Sequence, residues 1–89
     1  MKRYIVVRDR QGTGFNVGLI GTALEFKNYF DDYARNDMDE MDYKNTYAKY
    51  EGDDIVGLID AVWDIDIEEY TGTKEQKEAH EYYKTEYNY

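Results

Sequence analysis

Carboxyl groups are the most abundant chemically active side chains in this sequence, with 20 Asp and Glu residues against 11 Lys and Arg residues. Glycoside hydrolysis needs two carboxyl groups about 5–10 Å apart, one of which has a pKa raised by burial. The acids are so dense here that this spacing would arise by chance, and the patterns described below place them on polar faces. Their abundance therefore does not indicate catalysis.

Few residues are available for nucleophilic catalysis. The sequence contains neither serine nor cysteine, and its one histidine, His80, lies on a predicted exposed helix between Ala79 and Glu81. Covalent catalysis requires a nucleophile and a base within hydrogen-bonding distance in a concave site. We therefore predict that His80 is a solvated surface residue and that the protein is not an enzyme.

Two acidic runs, beginning at Asp37 and Asp64, have the alternating acids of a calcium-binding EF-hand loop. That loop needs glycine at its sixth position and glutamate at its twelfth. The first run has Asp42 and Ala48 at these positions, and the second has Glu69 at the sixth. We expect no dedicated metal site and no cofactor.

Acids and tyrosines are concentrated together between Asp31 and Tyr70. This stretch holds 14 of the 20 acids, three of the Lys and Arg residues and five tyrosines. Binding to DNA, RNA or anionic lipid requires Lys and Arg to displace counterions, so the net charge of −9 argues against it. A folded surface of carboxylates can instead occupy the basic groove of a nucleic-acid-binding protein, with tyrosines adding contact area at low entropy cost. We predict an acidic decoy for such a groove.

The decoy surface is predicted to present ten carboxylates to the partner's Lys and Arg residues, with three tyrosines as anchors. The carboxylates are those of Asp37, Asp39, Glu40, Asp42, Asp53, Asp60, Asp64, Asp66, Glu68 and Glu69. The anchors are Tyr43, Tyr47 and Tyr50. Segment 37–42 is interpreted as a mobile loop or a short helix, so the surface should centre on the ordered acids from Asp53 onward.

Length and composition predict a single folded domain, residues 1–89. A chain of this size buries one modest core, and 42% hydrophobic with 17% aromatic residues oppose disorder. No apolar run approaches the roughly 18–20 residues of a membrane span, and Met1-Lys2-Arg3 leads into a strand-like run rather than a signal peptide. We expect a soluble cytoplasmic protein that does not bind membranes.

An antiparallel hairpin is predicted at the start of the chain. The run Tyr4–Val7 is rich in β-branched and aromatic residues and indicates a strand over 2–8. Alternating residues indicate a second strand over 15–19, and the turn residues Gln11–Gly14 connect the two. Alternation over 45–51 predicts a third strand that extends this sheet.

Three amphipathic helices are predicted at about 23–35, 54–64 and 74–86, from apolar residues at three- and four-residue spacing. Capping-box patterns start the first helix at Thr22 and the last at Thr73. Packing of two or three helices against the hairpin and its third strand gives an α+β fold.

The middle helix places Asp53, Asp60 and Asp64 in a column opposite its apolar arc, pointing to water. From Trp63 the apolar period changes from helical spacing to strict alternation up to Glu68. The sequence leaves open whether this segment is a strand or continues the helix.

A short, cysteine-free, strongly acidic and tyrosine-rich α+β domain resembles the small phage and mobile-element inhibitors of bacterial defence, the anti-CRISPR and antirestriction DNA mimics. The resemblance lies in size and in the run Asp31–Tyr70, not in an alignable motif. It implies an inhibitor in a bacterial host cell that blocks the DNA-binding cleft of a Cas effector or the DNA channel of a restriction enzyme. The basic start, Lys2 to Arg10, departs from a uniformly acidic mimic and suggests that only one side is the decoy.

Three other readings of the sequence stay open. The protein could be a non-catalytic protein–protein adaptor or regulatory module whose acids only solubilise it. It could be a small enzyme that uses carboxylates, which would need a pocket and a strongly perturbed acid. It could also inhibit its target without mimicking nucleic acid. The oligomeric state, including a homodimer formed through the hairpin edge, is likewise open.

Overall fold

The computed structural model describes residues 1–87 and has the α+β fold that the sequence predicts. The strands are β1 (Tyr4–Asp9), β2 (Ile20–Gly21) and β3 (Ile65–Glu69). The helices are α1 (Ala23–Asp37), α2 (Glu40–Asp42), α3 (Gly52–Val62) and α4 (Lys74–Tyr87). A π-helical turn, Tyr43–Tyr47, continues α2 directly.

The three strands form one antiparallel sheet in the order β2-β1-β3, so β1 is the central strand. β1 pairs with β2 through Tyr4–Gly21 and Ile5–Ile20, which confirms the hairpin. The sheet has a third strand, as predicted, but this strand is β3 rather than 45–51, and it adds to the other edge of β1.

The predicted second strand over 15–19 is wrong in position, because these residues form tight turns and the strand that pairs with β1 is Ile20–Gly21. The amide of Leu19 donates to the carbonyl oxygen of Asn16 at 3.0 Å, and Asn16 has a φ of 55°. Asparagine tolerates this left-handed conformation better than most residues. Its side chain is buried and accepts a hydrogen bond from the Tyr29 hydroxyl at 2.8 Å. The alternation of apolar and polar residues over 15–19 therefore belongs to a turn in which the polar residue Asn16 is buried, and not to a strand.

The predicted strand over 45–51 is wrong, since this region begins within the π-helical turn. Tyr43 and Tyr47 are one helical turn apart, and their rings stack with centroids 5.6 Å apart. Tyr47 is fully buried and donates its hydroxyl hydrogen to the Lys27 carbonyl oxygen. The Lys27 ammonium in turn donates to the carbonyl oxygens of Ala48 and Tyr50, at 3.0 and 2.9 Å. Tertiary packing on α1 thus overrides the local alternation.

The ambiguous segment after Trp63 is a strand. α3 ends at Val62, and Asp64 adopts a φ of 53° that turns the chain into β3. Ile65 is fully buried, whereas Glu68 and Glu69 are exposed. The strict alternation of apolar and acidic residues therefore belongs to a half-buried strand. A continuing helix would have spread the same acids around its axis.

One core joins the sheet to α1 and α3. Because side chains alternate along a strand, Tyr4 and Val6 point into this core, while Ile5 points to the opposite face of β1 and is also fully buried. The α1 capping box is present as predicted, with Thr22 and Glu25 bonded reciprocally. The core residues beyond the sheet are Phe26, Phe30, Ala34, Tyr47, Ile55, Val56 and Ile59.

α4 packs against β1 and the turn that precedes β2. Its predicted capping box is present: Gln76 Oε1 accepts from the backbone amide of Thr73, and the backbone amide of Gln76 donates to the Thr73 hydroxyl. The prediction for His80 is wrong: its ring is half-buried, and Nδ1 lies 3.0 Å from the Gly18 carbonyl oxygen.

Among the helices of residues 1–87, none combines the length and apolar character of a membrane span.

Candidate partner-binding surface

Arg10 lies among three acids, namely Asp60 and Asp64 of the predicted outward column and Asp66 of β3. Its Nη1 is 3.2 Å from Asp60 Oδ1 and 2.5 Å from Asp66 Oδ1, and its Nη2 is 3.6 Å from Asp64 Oδ1. Nη2 also donates to the Asp60 carbonyl oxygen at 2.8 Å. The hydrogen bond from Arg10 holds the pKa of the Asp66 carboxyl below its usual value. These acids are thus already paired within the molecule.

Lys2 and Arg8 at the start of the chain are paired in the same way, whereas Arg3 lies over the Tyr70 ring. Arg8 Nε donates to Asp66 Oδ2 at 2.9 Å. Lys2 Nζ lies 3.3 Å from Asp53 Oδ1 and 3.7 Å from Glu69 Oε1. The basic start therefore lies among the acids instead of on a separate side, because the central strand β1 brings it next to α3 and β3.

These paired acids are not withdrawn from solvent. The side chains of Asp53 and Asp64 are 70% and 52% exposed, so a partner could reach them. Glu68 accepts a hydrogen bond from Gln76 Nε2 at 2.8 Å. A Lys or Arg of a partner would have to share these carboxylates with the protein's own donors. The predicted decoy surface was centred on the ordered acids from Asp53 onward. Among the predicted acids, these are therefore the ones most engaged by the protein's own donors.

The acids around α2 are in a different situation. Asp39 caps α2 by accepting from the Asp42 amide at 2.8 Å, and Glu40 pairs with Lys44 at 2.9 Å, both side chains being well exposed. Asp39 and Asp42 have no Lys or Arg of residues 1–87 within ion-pair distance. Met41, between them, is 67% exposed. This α2 surface, residues 39–44, is ordered as a short helix, one of the two interpretations offered by the sequence.

The three predicted anchors differ in accessibility. Tyr50 is 38% exposed and available to a partner. Tyr43 is half-buried, and its hydroxyl donates to Asp31 Oδ1, a bond that raises the pKa of Tyr43 and lowers that of Asp31. Arg35 lies over the Tyr43 ring at 4.7 Å. Tyr47 belongs to the core and is inaccessible, since its ring fills the space between α1 and the π-helical turn.

Sequence reasoning missed an aromatic groove of about 280 Å³ beside this surface. Its walls include Phe15, Tyr33, Val62 and Trp63, and the predicted site residue Asp37 lies at its edge. Asp37 Oδ2 accepts from Trp63 Nε1 at 2.9 Å, so the end of α1 is joined to the end of α3. The only signal in the sequence was the single tryptophan next to a change of period.

The remaining acids do not form a metal-binding arrangement within the described residues, where no group of three or more His, Asp or Glu side chains has suitable geometry. Comparisons of the chain with protein-family models, with curated proteins and with solved structures found no match.

Proposed function

We propose that the protein is a non-catalytic inhibitor that occupies the nucleic-acid-binding site of a basic partner protein. A Cas effector or a restriction enzyme in a bacterial cell is the class of partner implied by the sequence resemblance. The observation that carries the proposal is the α2 surface, where Asp39 and Asp42 are exposed and have no cationic partner in residues 1–87.

Unpaired carboxylates suit this role better than paired ones. An incoming Lys or Arg reaches Asp39 or Asp42 without displacing an internal cation, whereas at Asp66 it would compete with Arg8 and Arg10. The surplus negative charge speeds encounter with a basic cleft, and this attraction is screened over about 10 Å at 0.1 M salt. Exposed Met41 adds apolar contact area between these acids, and Tyr50 is a further exposed aromatic residue.

A pull-down with immobilised protein from a bacterial lysate, with and without excess duplex DNA, tests the proposal. The expected result is a recovered protein that binds nucleic acid and is released when the DNA is added. Recovery of a partner that does not bind nucleic acid, or that DNA fails to displace, would contradict the decoy function.

The internal ion pairs favour a second candidate function, the adaptor. Carboxylates that pair with Lys2, Arg8 and Arg10 are explained by fold stability and solubility and need no external target. An adaptor would bind its partner without excluding nucleic acid. The DNA arm of the pull-down therefore distinguishes the two functions directly.

A further inference from the structure

The aromatic groove has a chemical character that neither the core nor the α2 surface shares. Aromatic rings of Phe15, Tyr33 and Trp63 and the apolar side chain of Val62 line it, and one carboxylate, that of Asp37, stands at its edge. Its volume of about 280 Å³ is at the lower limit for small-ligand pockets, so it fits one long side chain rather than a nucleotide.

The groove is built from fixed parts. The rings of Phe15 and Tyr33 meet edge to face with centroids 5.4 Å apart, and Trp63 packs on Phe30 at 5.1 Å. The turn that carries Phe15 is held by the buried carboxylate of Asp9, which accepts hydrogen bonds from backbone amides of that turn. A ligand would therefore meet a preformed site, which reduces the entropy cost of binding.

The carboxylate of Asp37 is oriented and uncompensated. Its Oδ2 accepts from the Trp63 indole at 2.9 Å, and no Lys or Arg of residues 1–87 forms an ion pair with it. Gln11 lines the groove too, and its side-chain amide donates to Asp64 Oδ2 at 3.2 Å, which leaves its carbonyl oxygen as a second acceptor. A cation with several donors would satisfy both groups.

We propose that this groove binds one arginine side chain of the protein partner, with the guanidinium against the aromatic wall and paired with Asp37. Guanidinium is planar, stacks on aromatic rings and offers a fork of donors to a carboxylate, whereas a lysine ammonium is a more strongly hydrated point charge. Val62, 38% exposed, covers the arginine methylenes. The inference rests on the proposed function, because it requires a basic protein partner. It adds that the partner inserts an arginine side chain into this groove.

Trp63 is the only tryptophan, so its indole N–H resonance is assigned without ambiguity, and this N–H donates to Asp37 in the groove. The protein is titrated with acetyl-Gly-Arg-Gly-amide, with the lysine and citrulline versions of that peptide, and with free arginine. A saturable shift with the arginine peptide is expected, with about tenfold weaker binding of the citrulline peptide, because the ion pair with Asp37 is lost. The lysine peptide and free arginine should also bind more weakly.

The test variant is Asp37→Asn, and the matched control is Asp32→Asn, which removes the same charge from an exposed position of α1 outside the groove. Circular dichroism verifies that both variants fold. Asp37→Asn should weaken the arginine peptide about tenfold, and Asp32→Asn should leave it unchanged.

Three results would overturn the inference: no saturable indole shift, equal binding by Asp37→Asn, or binding of the lysine or citrulline peptide as tight as that of the arginine peptide. Tighter binding of free arginine than of the peptide would assign the groove to a small molecule and also overturn it. None of these titrations contains DNA, so their failure is distinguishable from failure of the decoy function in the pull-down.

Discussion

At the scale of single residues, Asp9 has the most demanding environment. It is 8% exposed and accepts hydrogen bonds from the Thr13 hydroxyl and from the amides of Gln11, Thr13 and Phe15. The Thr13 hydroxyl, together with those amides, lowers the pKa of Asp9 to about 2, although burial opposes the shift. The ionised carboxylate thus organises the turn between β1 and β2.

Replacing Asp9 by asparagine should lower the free energy of unfolding by roughly 2–3 kcal/mol at pH 7, because an amide group then faces several hydrogen-bond donors. Because the pKa of Asp9 is lower in the folded state, its ionised carboxylate stabilises the protein fully above about pH 3.8, the ordinary carboxyl pKa. This stabilisation is lost as the pH falls toward 2. The gap between wild type and Asp9→Asn should therefore narrow from pH 4 to about pH 2 in urea-unfolding experiments. A gap that stays constant over this range would contradict the assigned hydrogen bonds.

Tyr47 and Tyr50 illustrate how two similar tyrosines take different roles. Tyr47→Ala removes a fully buried ring and should cost about 3–5 kcal/mol, whereas Tyr50→Ala should change stability by less than about 0.5 kcal/mol. Thermal or urea unfolding of both variants measures the difference. If Tyr47→Ala proved as stable as wild type, the placement of this ring in the core would be wrong.

At the scale of elements, the sequence predicted what local chemistry determines. Both capping boxes and the three longer helices could be located from short patterns, since a cap and a 3.6-residue period are properties of neighbouring residues. The turns at 15–19 and the π-helical turn could not, because burial of Asn16 and Tyr47 by distant residues overrides the local alternation.

The candidate site was predictable to a similar extent. The acids of the predicted surface could be named from the sequence, but their pairing with Lys2, Arg8 and Arg10 depends on which strand lies at the centre of the sheet. That order follows from β3, the segment whose structure the sequence left open. The aromatic groove likewise requires the ends of α1 and α3 to meet, through Asp37 and Trp63, which no local pattern specifies.

The contact between α4 and the turn before β2 depends on Gly18. Its φ is 95°, and a Cβ atom there would lie 2.1 Å from the Ala79 carbonyl oxygen, so Gly18→Ala should cost about 2 kcal/mol or more and loosen α4. Gly57→Ala is the matched control, because a Cβ on that helical residue meets nothing within 4 Å and should stabilise α3 by about 1 kcal/mol. The measurement is hydrogen exchange of the α4 amides, which should be faster than in wild type in Gly18→Ala but not in Gly57→Ala. Equal exchange in the two variants would contradict the close approach.

At the scale of the whole molecule, the acids that give the net charge of −9 differ in how far internal cations compensate them. Lys2, Arg8 and Arg10, in or next to β1, pair with acids of α3 and β3, whereas Asp39 and Asp42 of the α2 surface have no Lys or Arg of residues 1–87 within ion-pair distance. Charge on this scale repels itself, so the internal pairs lower the electrostatic cost of folding while the α2 acids remain available for a partner.

Arg10 is expected to be the most important of these internal cations. Arg10→Gln leaves the neighbouring carboxylates of Asp60, Asp64 and Asp66 without their shared partner and should lower the free energy of unfolding at neutral pH. Because the pKa of Asp66 is lowered mainly by Arg10, the loss should diminish as the pH falls below 3.8, and also in high salt. Lys74→Gln, which removes an exposed charge with no ion pair in residues 1–87, is the control in urea unfolding. A loss independent of pH would contradict the electrostatic role of Arg10.

The most direct measurement of the proposed function is displacement of labelled duplex DNA from the purified partner. The wild type is compared with Asp39→Asn/Asp42→Asn, in which asparagine preserves the α2 cap, and with Glu75→Gln/Glu78→Gln, which removes two exposed charges from α4. The decoy account predicts that wild type displaces the DNA, that the α2 variant is about five- to thirtyfold weaker at low salt, and that the α4 variant resembles wild type. Equal loss in both variants would contradict the assignment to α2, and partner binding that leaves the DNA bound would contradict the decoy function.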